Sequence, residues 1–439
     1  MRFTGQDVAS AVGGRAGGPA LVVDGVVTDS RRAVRGRLFV PVRGRRDGHD
    51  YIGEALLRGA SAYLTERADT NEKAIFVVNT VDALKDLAVF ARERLGARRI
   101  GITGSVGKTT TKDLTRAVLA ATLATYASER SFNNYLGVPL TVLNAPDACE
   151  ALVLEIGTNA PGEIAALCRI ALPEVGVVTR VARAHTEGFG DEAGVADEKA
   201  DLVRALPPNG LAVLNADDPL VAGMAREARC PVLFFGAQGD VKVRLVSIDA
   251  ELRPRLQADT PWGRFETVLA ARGRHQVVNA GAAIAVGGHF GVPTDAMAGA
   301  LAEAPISAGR MAVRTARAGF RVIDDSYNSN PESTRAALQA LADLPASRRI
   351  AIVGEMAELG AVSRAEHEAV RAVAERLGIE MLAVRAPEYG VENFEDFVTA
   401  AKRVEACDEG TVVLVKGSRV SALEHLAESL CGPEDAERL

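Results

Sequence analysis

At 439 residues the chain is longer than one hydrophobic core usually organises, so two or three domains are expected. Apolar residues make up 48%, charged residues 25%, and the net charge is -6, a balance that excludes bulk disorder and non-specific nucleic-acid binding but leaves room for small anionic ligands. Five scattered cysteines without CxxC or Cys/His spacing argue against a disulfide framework or structural zinc, and Met1 to Gly14 carries neither a signal-peptide pattern nor a membrane-spanning run, so a cytoplasmic protein without membrane insertion is expected.

In chain order, residues 18 to 95 mix short apolar stretches (Leu21 to Val23, Leu38 to Val42, Ala74 to Val78) with turns and one helical pattern, Val81 to Leu95, which together predict a small α/β domain over 1-96. Arg99 to Thr103 then reads as a buried strand followed by a helix from Lys108 to Ala121. Strand-like runs (Ala151 to Ile156, Val175 to Thr179, Leu211 to Asn215) alternate with helices after Pro161, from Gly194 to Ala205 and after Pro219, the mark of a parallel sheet over 97-309. The pattern pauses at Ser307-Ala308-Gly309. A third α/β unit over 310-439 is expected from Phe320 to Ile323, Ile350 to Val353, Met381 to Val384 and Val412 to Val415, with the acidic end from Gly432 read as a frayed terminus.

The most specific local signal is Gly104-Ser105-Val106-Gly107-Lys108-Thr109-Thr110, set between predicted strand and predicted helix. Glycines there let backbone N–H groups face phosphate oxygens, the helix N-terminus adds positive potential, Lys108 can reach the β- and γ-phosphates and Thr109 can ligate magnesium. The strict motif wants glycine at Ile102, so only the shorter GxxGKTT form is met. Glu155 closes an otherwise apolar strand and should face a cation or solvent, since burying it unpaired is costly. His185 lies after the next strand, where a satisfied structural histidine and a ligand are both open readings. Residue physics alone reads Lys199 as a solvated lysine beside Glu198.

Taken together, GxxGKTT, Phe132 to Pro139 with Asn133-Asn134, Glu155-Ile156-Gly157 before Gly162-Glu163-Ile164, and Ala184-His185-Thr186-Glu187-Gly188-Phe189-Gly190 resemble the Mur ligase family. Further matches run along nearly the whole chain: Asn215-Ala216-Asp217-Asp218, Gly273-Arg274-His275 with Asn279, Asp324-Asp325-Ser326-Tyr327-Asn328, and Val415-Lys416-Gly417-Ser418-Arg419. Near the N-terminus, Asp29-Ser30-Arg31 and Asp47-Gly48-His49 are similar to the UDP-substrate domain of the branch that adds D-alanyl-D-alanine. Three residues depart from the family pattern: Gln276 and Arg180, each where asparagine is common, and Ser131.

The resemblance implies an α/β fold of three domains: a small UDP-substrate domain, a central P-loop parallel-sheet ATPase domain and a C-terminal Rossmann-like domain. It implies an ATP-dependent ligase joining UDP-N-acetylmuramoyl-tripeptide to D-alanyl-D-alanine through an acyl phosphate, in a chain expected to act as a monomer. Among individual residues it implies Thr109 and Glu155 at one Mg2+, His185 and a carbamylated Lys199 at a second, and Lys108, His185 and Lys199 as catalytic groups. His275, Asn279, Arg310, Asp325 and Tyr327 join the phosphate loop around ATP, while Ser30, Arg31, Asp47, Gly48, His49, Asn133 and Asn134 face the other substrates. Two rivals are a Mur-like amide ligase for another carboxylate and amine, against which the Asp29 and Asp47 segments argue, and a P-loop nucleotide switch, which would need neither His185 nor Lys199.

Overall fold

The computed structural model describes residues 1–16, 21–182 and 186–432, with side chains of 186 and 187 left aside. Its sheets fall in three successive stretches of chain. The first holds an antiparallel pair, Arg2–Thr4 with Val22–Asp24, and a five-stranded sheet ordered Arg15–Ala16, Ala74–Phe76, Ala62–Thr65, Leu38–Phe39, Val26–Val27. Its longest helix, Thr80–Arg94, starts where the Asn79 side chain accepts the N–H groups of Val81 and Asp82. Burying Leu84, Leu87, Ala88 and Ala91 on one face secures it, as helical spacing demands.

The second stretch forms a nine-stranded sheet. From Thr125–Ala127 at one edge it runs through Ala151–Glu155, Arg98–Thr103, Val175–Val178, Leu211–Asn215 and Val232–Gly236 as parallel strands. The Arg98–Thr103 strand therefore lies between Ala151–Glu155 and Val175–Val178, which brings the phosphate loop, Glu155 and the segment after Thr179 to one sheet end, where parallel sheets bind ligands. Three further strands, Val241–Ile248, Pro254–Thr260 and Gly263–Val268, complete it, the last two pairings antiparallel. This extension was not expected from sequence, because Lys242, Arg244 and Arg255 break up the apolar runs.

The third stretch builds a six-stranded sheet ordered Ala312–Thr315, Arg321–Asp324, Thr411–Lys416, Arg348–Gly354, Glu380–Val384, Glu392–Phe394, parallel except for its first pairing. Separate apolar cores lie on its two faces, so the sheet is covered by helices on both sides.

The joints between the three units differ in chemistry. The first and second share one apolar core in which Val8, Leu84 and Leu87 meet Val138, Val142 and Leu167. The Asn144 amide extends that joint by pairing with both backbone groups of Val26, at 2.9 and 3.0 Å. The second and third meet mainly through ion pairs: Arg274 grips Asp343 with two bonds of 2.7 and 2.9 Å, and Arg180 reaches Glu332 at 3.1 Å. Apolar contact adds to these, since Leu252, at the hairpin tip between Val241–Ile248 and Pro254–Thr260, is buried in the core of the third unit and Ile248 packs against the same core. No helix among the described residues is long and apolar enough to cross a membrane.

Candidate active site

A cleft of about 550 Å³ opens between the second and third units, lined from the central side by the phosphate loop, Asn133, Asn134, Glu155, His275 and Asn279 and from the other by Asp325, Tyr327 and Arg419. Arg310 lines it from the connection between the two. The loop's shape follows from its glycines. Gly104 has φ +147 and a Cβ there would lie 1.9 Å from the Thr179 hydroxyl; Gly107, at φ +83, would place a Cβ 2.5 Å from Asn279 Oδ1. Both positions thus need glycine for conformation and for space.

Neighbouring strand ends knit this loop in place. The Thr179 hydroxyl donates to Val106 O at 2.6 Å, Ser105 N donates to Arg180 O at 2.7 Å, and Ala182 N donates to Ser105 Oγ at 3.0 Å. Asp218 accepts the Val181 N–H at 2.8 Å and Asn215 donates to Thr179 O at 2.8 Å, so the Asn215 to Asp218 motif holds the segment beside the phosphate loop. Lys108 Nζ folds back onto Gly104 O at 2.6 Å; desolvation lowers its pKa, opposed by Glu155 and reinforced by Arg310.

Glu155 is buried and accepts from Asn133 Nδ2 at 2.8 Å through Oε1, while Oε2 is buried without a hydrogen-bond donor. A buried carboxylate oxygen left this way is costly unless a cation meets it, so the donor set fits a hard metal ion. The Thr109 hydroxyl lies in the same cleft, where it accepts from Arg310 Nη2 at 2.8 Å. Asn134 also lines the cleft, but its side chain is engaged in accepting from Leu136 N and Gly137 N where the helix Gly137–Asn144 begins.

Lys199 overturns the solvated reading: it is 2% exposed, and burial together with Lys108 depresses its pKa to about 7, with Glu198 opposing. Its neighbour Glu198 is also buried and serves a different purpose, one the sequence did not disclose. Its carboxylate accepts from Gly162 N at 2.6 Å, Ile164 N at 2.8 Å and the Thr158 hydroxyl at 3.2 Å, fixing the loop that follows Glu155. The predicted ligand His185 lies outside the described residues.

Beside the phosphate loop, where Asn279 faces Gly107, a chain of amides orients His275. Asn279 Nδ2 donates to Gln276 Oε1 at 2.7 Å and Gln276 Nε2 donates to His275 Nε2 at 2.9 Å, so the proton sits on Nδ1, which is buried with no acceptor. Gln276, a departure from the family pattern, is thus the middle link. Burial holds His275 at about 4, hence neutral. Arg310 lies over the Tyr327 ring at 4.3 Å with Arg419 at 5.6 Å from the same ring, and Asp325 is paired with buried Lys416 at 2.6 Å.

The N-terminal candidates do not line this cleft. Ser30 is buried and donates to Glu54 at 2.8 Å; Asp29 caps the turn and pairs with the exposed Arg31 at 2.7 Å. His49 is buried, its ring 2.7 Å from Asp47 and its Nε2 accepting Glu66 N, while the backbone and ring N–H groups of His49 hold Asp47 at about 2. At Gly48 a Cβ would meet Val42 N at 2.5 Å. Ser30 and His49 therefore shape the N-terminal unit from within, while Asp29 and Arg31 stay at its surface.

The Mur ligase middle domain matches residues 102–287 and the Mur ligase glutamate ligase domain matches 309–419. The UDP-N-acetylmuramoyl-tripeptide–D-alanyl-D-alanine ligase of Escherichia coli K12 is 34% identical over 449 residues, spanning 98% of both chains. The Mycobacterium tuberculosis H37Rv protein of that name is 42% identical over 388 residues, covering 81% of this chain and 76% of its own. Among solved structures, MurF from Acinetobacter baumannii superposes with a TM-score of 0.86 at 29% identity, covering 98% of this chain and 99% of its own. MurF ligase from Thermotoga maritima in complex with ADP gives 0.81 at 31% identity, covering 93% and 97%.

Proposed function

The chain belongs to the Mur ligase family, and from that premise we propose that it joins D-alanyl-D-alanine to UDP-N-acetylmuramoyl-tripeptide, cleaving ATP to ADP and phosphate in peptidoglycan synthesis. The observation that carries the choice of substrates is full-length likeness: a ligase named for those substrates matches 98% of this chain, N-terminal unit included.

A carboxylate of the tripeptide attacks the γ-phosphorus of ATP, ADP leaves, and an acyl phosphate results; the dipeptide amine then adds to its carbonyl, and collapse of the tetrahedral intermediate expels phosphate and leaves an amide. Such phosphoryl transfer rests on positioning and charge stabilisation rather than covalent help from the protein. Lys108 supplies a cation at the phosphate loop, and its present bond to Gly104 O is replaced by phosphate oxygens. Thr109 and Glu155 would hold Mg2+, supported by the undonated Glu155 oxygen, and magnesium there offsets the charge of the phosphate oxygens. A second ion would fall to His185 and Lys199, the latter as its carbamate. A lysine depressed to about 7 supports that assignment, because only a neutral amine reacts with carbon dioxide.

His275, through its undirected Nδ1 proton, and Asn279, Arg310, Asp325 and Tyr327 form the remainder of the nucleotide site, with Ser105 and Val106 in the loop. Asn133 orients Glu155, and Arg31 with the Asp47–His49 turn is assigned to the UDP-substrate, Ser30 and His49 acting by holding that surface in shape. The test is phosphate release with ATP, magnesium and UDP-muramoyl-tripeptide, with and without D-alanyl-D-alanine, followed by mass spectrometry. Dipeptide-dependent release and a pentapeptide product are expected; turnover indifferent to both substrates would transfer the chain to another carboxylate and amine pair.

A further inference from the structure

The third unit presents three segments to the cleft: Asp325 to Asn330 with the helix start after it, Ala357 with Glu358, and Lys416 to Val420. Asp325 and Lys416 act electrostatically on His275, and Tyr327 stacks on Arg310, so these two segments surround the nucleotide end. Ala357 and Glu358 stand elsewhere. The turn that follows them, Gly360–Val362, touches the central helix Thr186–Phe189, which directly precedes the helix Glu192–Arg204 bearing Lys199. Ala357 and Glu358 therefore face the cleft on the side of the helix that carries Lys199.

This wall does not hold its shape from local preference. Glu358 has φ +65, a left-handed conformation unfavourable for a residue with a Cβ. Two residues before it, Met356 is held by His367, which is wholly buried and lies outside the cleft lining. His367 Nε2 accepts the Met356 N–H at 3.0 Å, and Nδ1 donates to Ser363 O at 2.7 Å, so one imidazole ties the residue before the wall to the first turn of the helix Ser363–Arg376. Its ring meets buried Tyr389 edge-on at 4.6 Å, and the Thr334 hydroxyl reaches the Met356 sulfur at 3.6 Å.

We propose that His367 is a positioning residue for the incoming amine: by bonding Met356 N–H it fixes the Ala357–Glu358 wall against which D-alanyl-D-alanine is oriented. The inference rests on the function proposed above. It is tested in the full-length protein with His367→Leu, which removes both bonds, and His367→Gln, whose amide keeps a donor and an acceptor, by measuring KM separately for ATP, UDP-muramoyl-tripeptide and dipeptide. The leucine variant is expected to raise the dipeptide KM about tenfold, the scale of one buried hydrogen bond, with the other two within about twofold and the glutamine variant largely restored. A folded leucine variant whose three KM values move together, or whose dipeptide KM stays put, overturns the proposal. Should that variant not fold, Glu358→Gly, which relaxes the left-handed position, loosens the same wall; an unchanged dipeptide KM there also overturns it. Wild-type protein silent toward the dipeptide would instead sink the underlying function, so the two failures are distinguishable.

Discussion

Lys199 shows how far a residue's chemistry departs from its type. In sequence it sits beside Glu198 and looks like a solvated helix lysine, yet the two diverge: Glu198 binds backbone N–H groups and Lys199 is buried, depressed to about 7. Carbamylation requires the neutral amine, so protein freed of carbon dioxide is expected to lose turnover and to regain it with bicarbonate, the regain growing as pH rises through about 7. Lys199→Arg, charged at every accessible pH, should show no bicarbonate response; a response equal to wild type would exclude the carbamate. Linkage runs in the same direction. Because the folded-state pKa lies below the ordinary lysine value, burial penalises folding most at and below about pH 7, and the penalty fades as pH rises toward that value.

At the level of elements, the phosphate loop was legible because its glycines, lysine and threonines sit at fixed spacing between strand and helix. The loop after Glu155 was not, since its anchor lies far along the chain: Glu198 is 36 residues from Gly162, and no local pattern links them. Glu198→Ala should strip two backbone donors and a hydroxyl of their acceptor and cost about 2–3 kcal/mol of stability, read from denaturant unfolding. An unchanged midpoint would mean that water replaces the carboxylate there. The hairpin around Leu252 was hidden for a related reason. Its Leu252 adopts φ +61, held by Asp249 accepting from Glu251 N and Arg253 N, and the partners of its side chain belong to another unit.

For the molecule as a whole, the apolar joint between the first two units and the largely polar joint between the last two predict which part moves. Exposed ion pairs such as Arg180–Glu332 contribute little each and exchange readily, whereas a shared core resists displacement. Small-angle scattering with an ATP analogue and UDP substrate together should therefore show compaction that neither ligand gives alone, since both substrates must be enclosed to shield an acyl phosphate from water. Identical profiles in all states would refute closure. The sequence by itself determined the three α/β units and the phosphate loop, because strand and helix periodicity and motif spacing are local properties of the chain, and its motifs carried the resemblance to the family. Only the tertiary structure decided that Glu155 has a buried oxygen without a donor, that Lys199 is desolvated, that Ser30 and His49 are buried and that His367 accepts the Met356 N–H, because burial and hydrogen-bond partnership are set by residues distant in the chain.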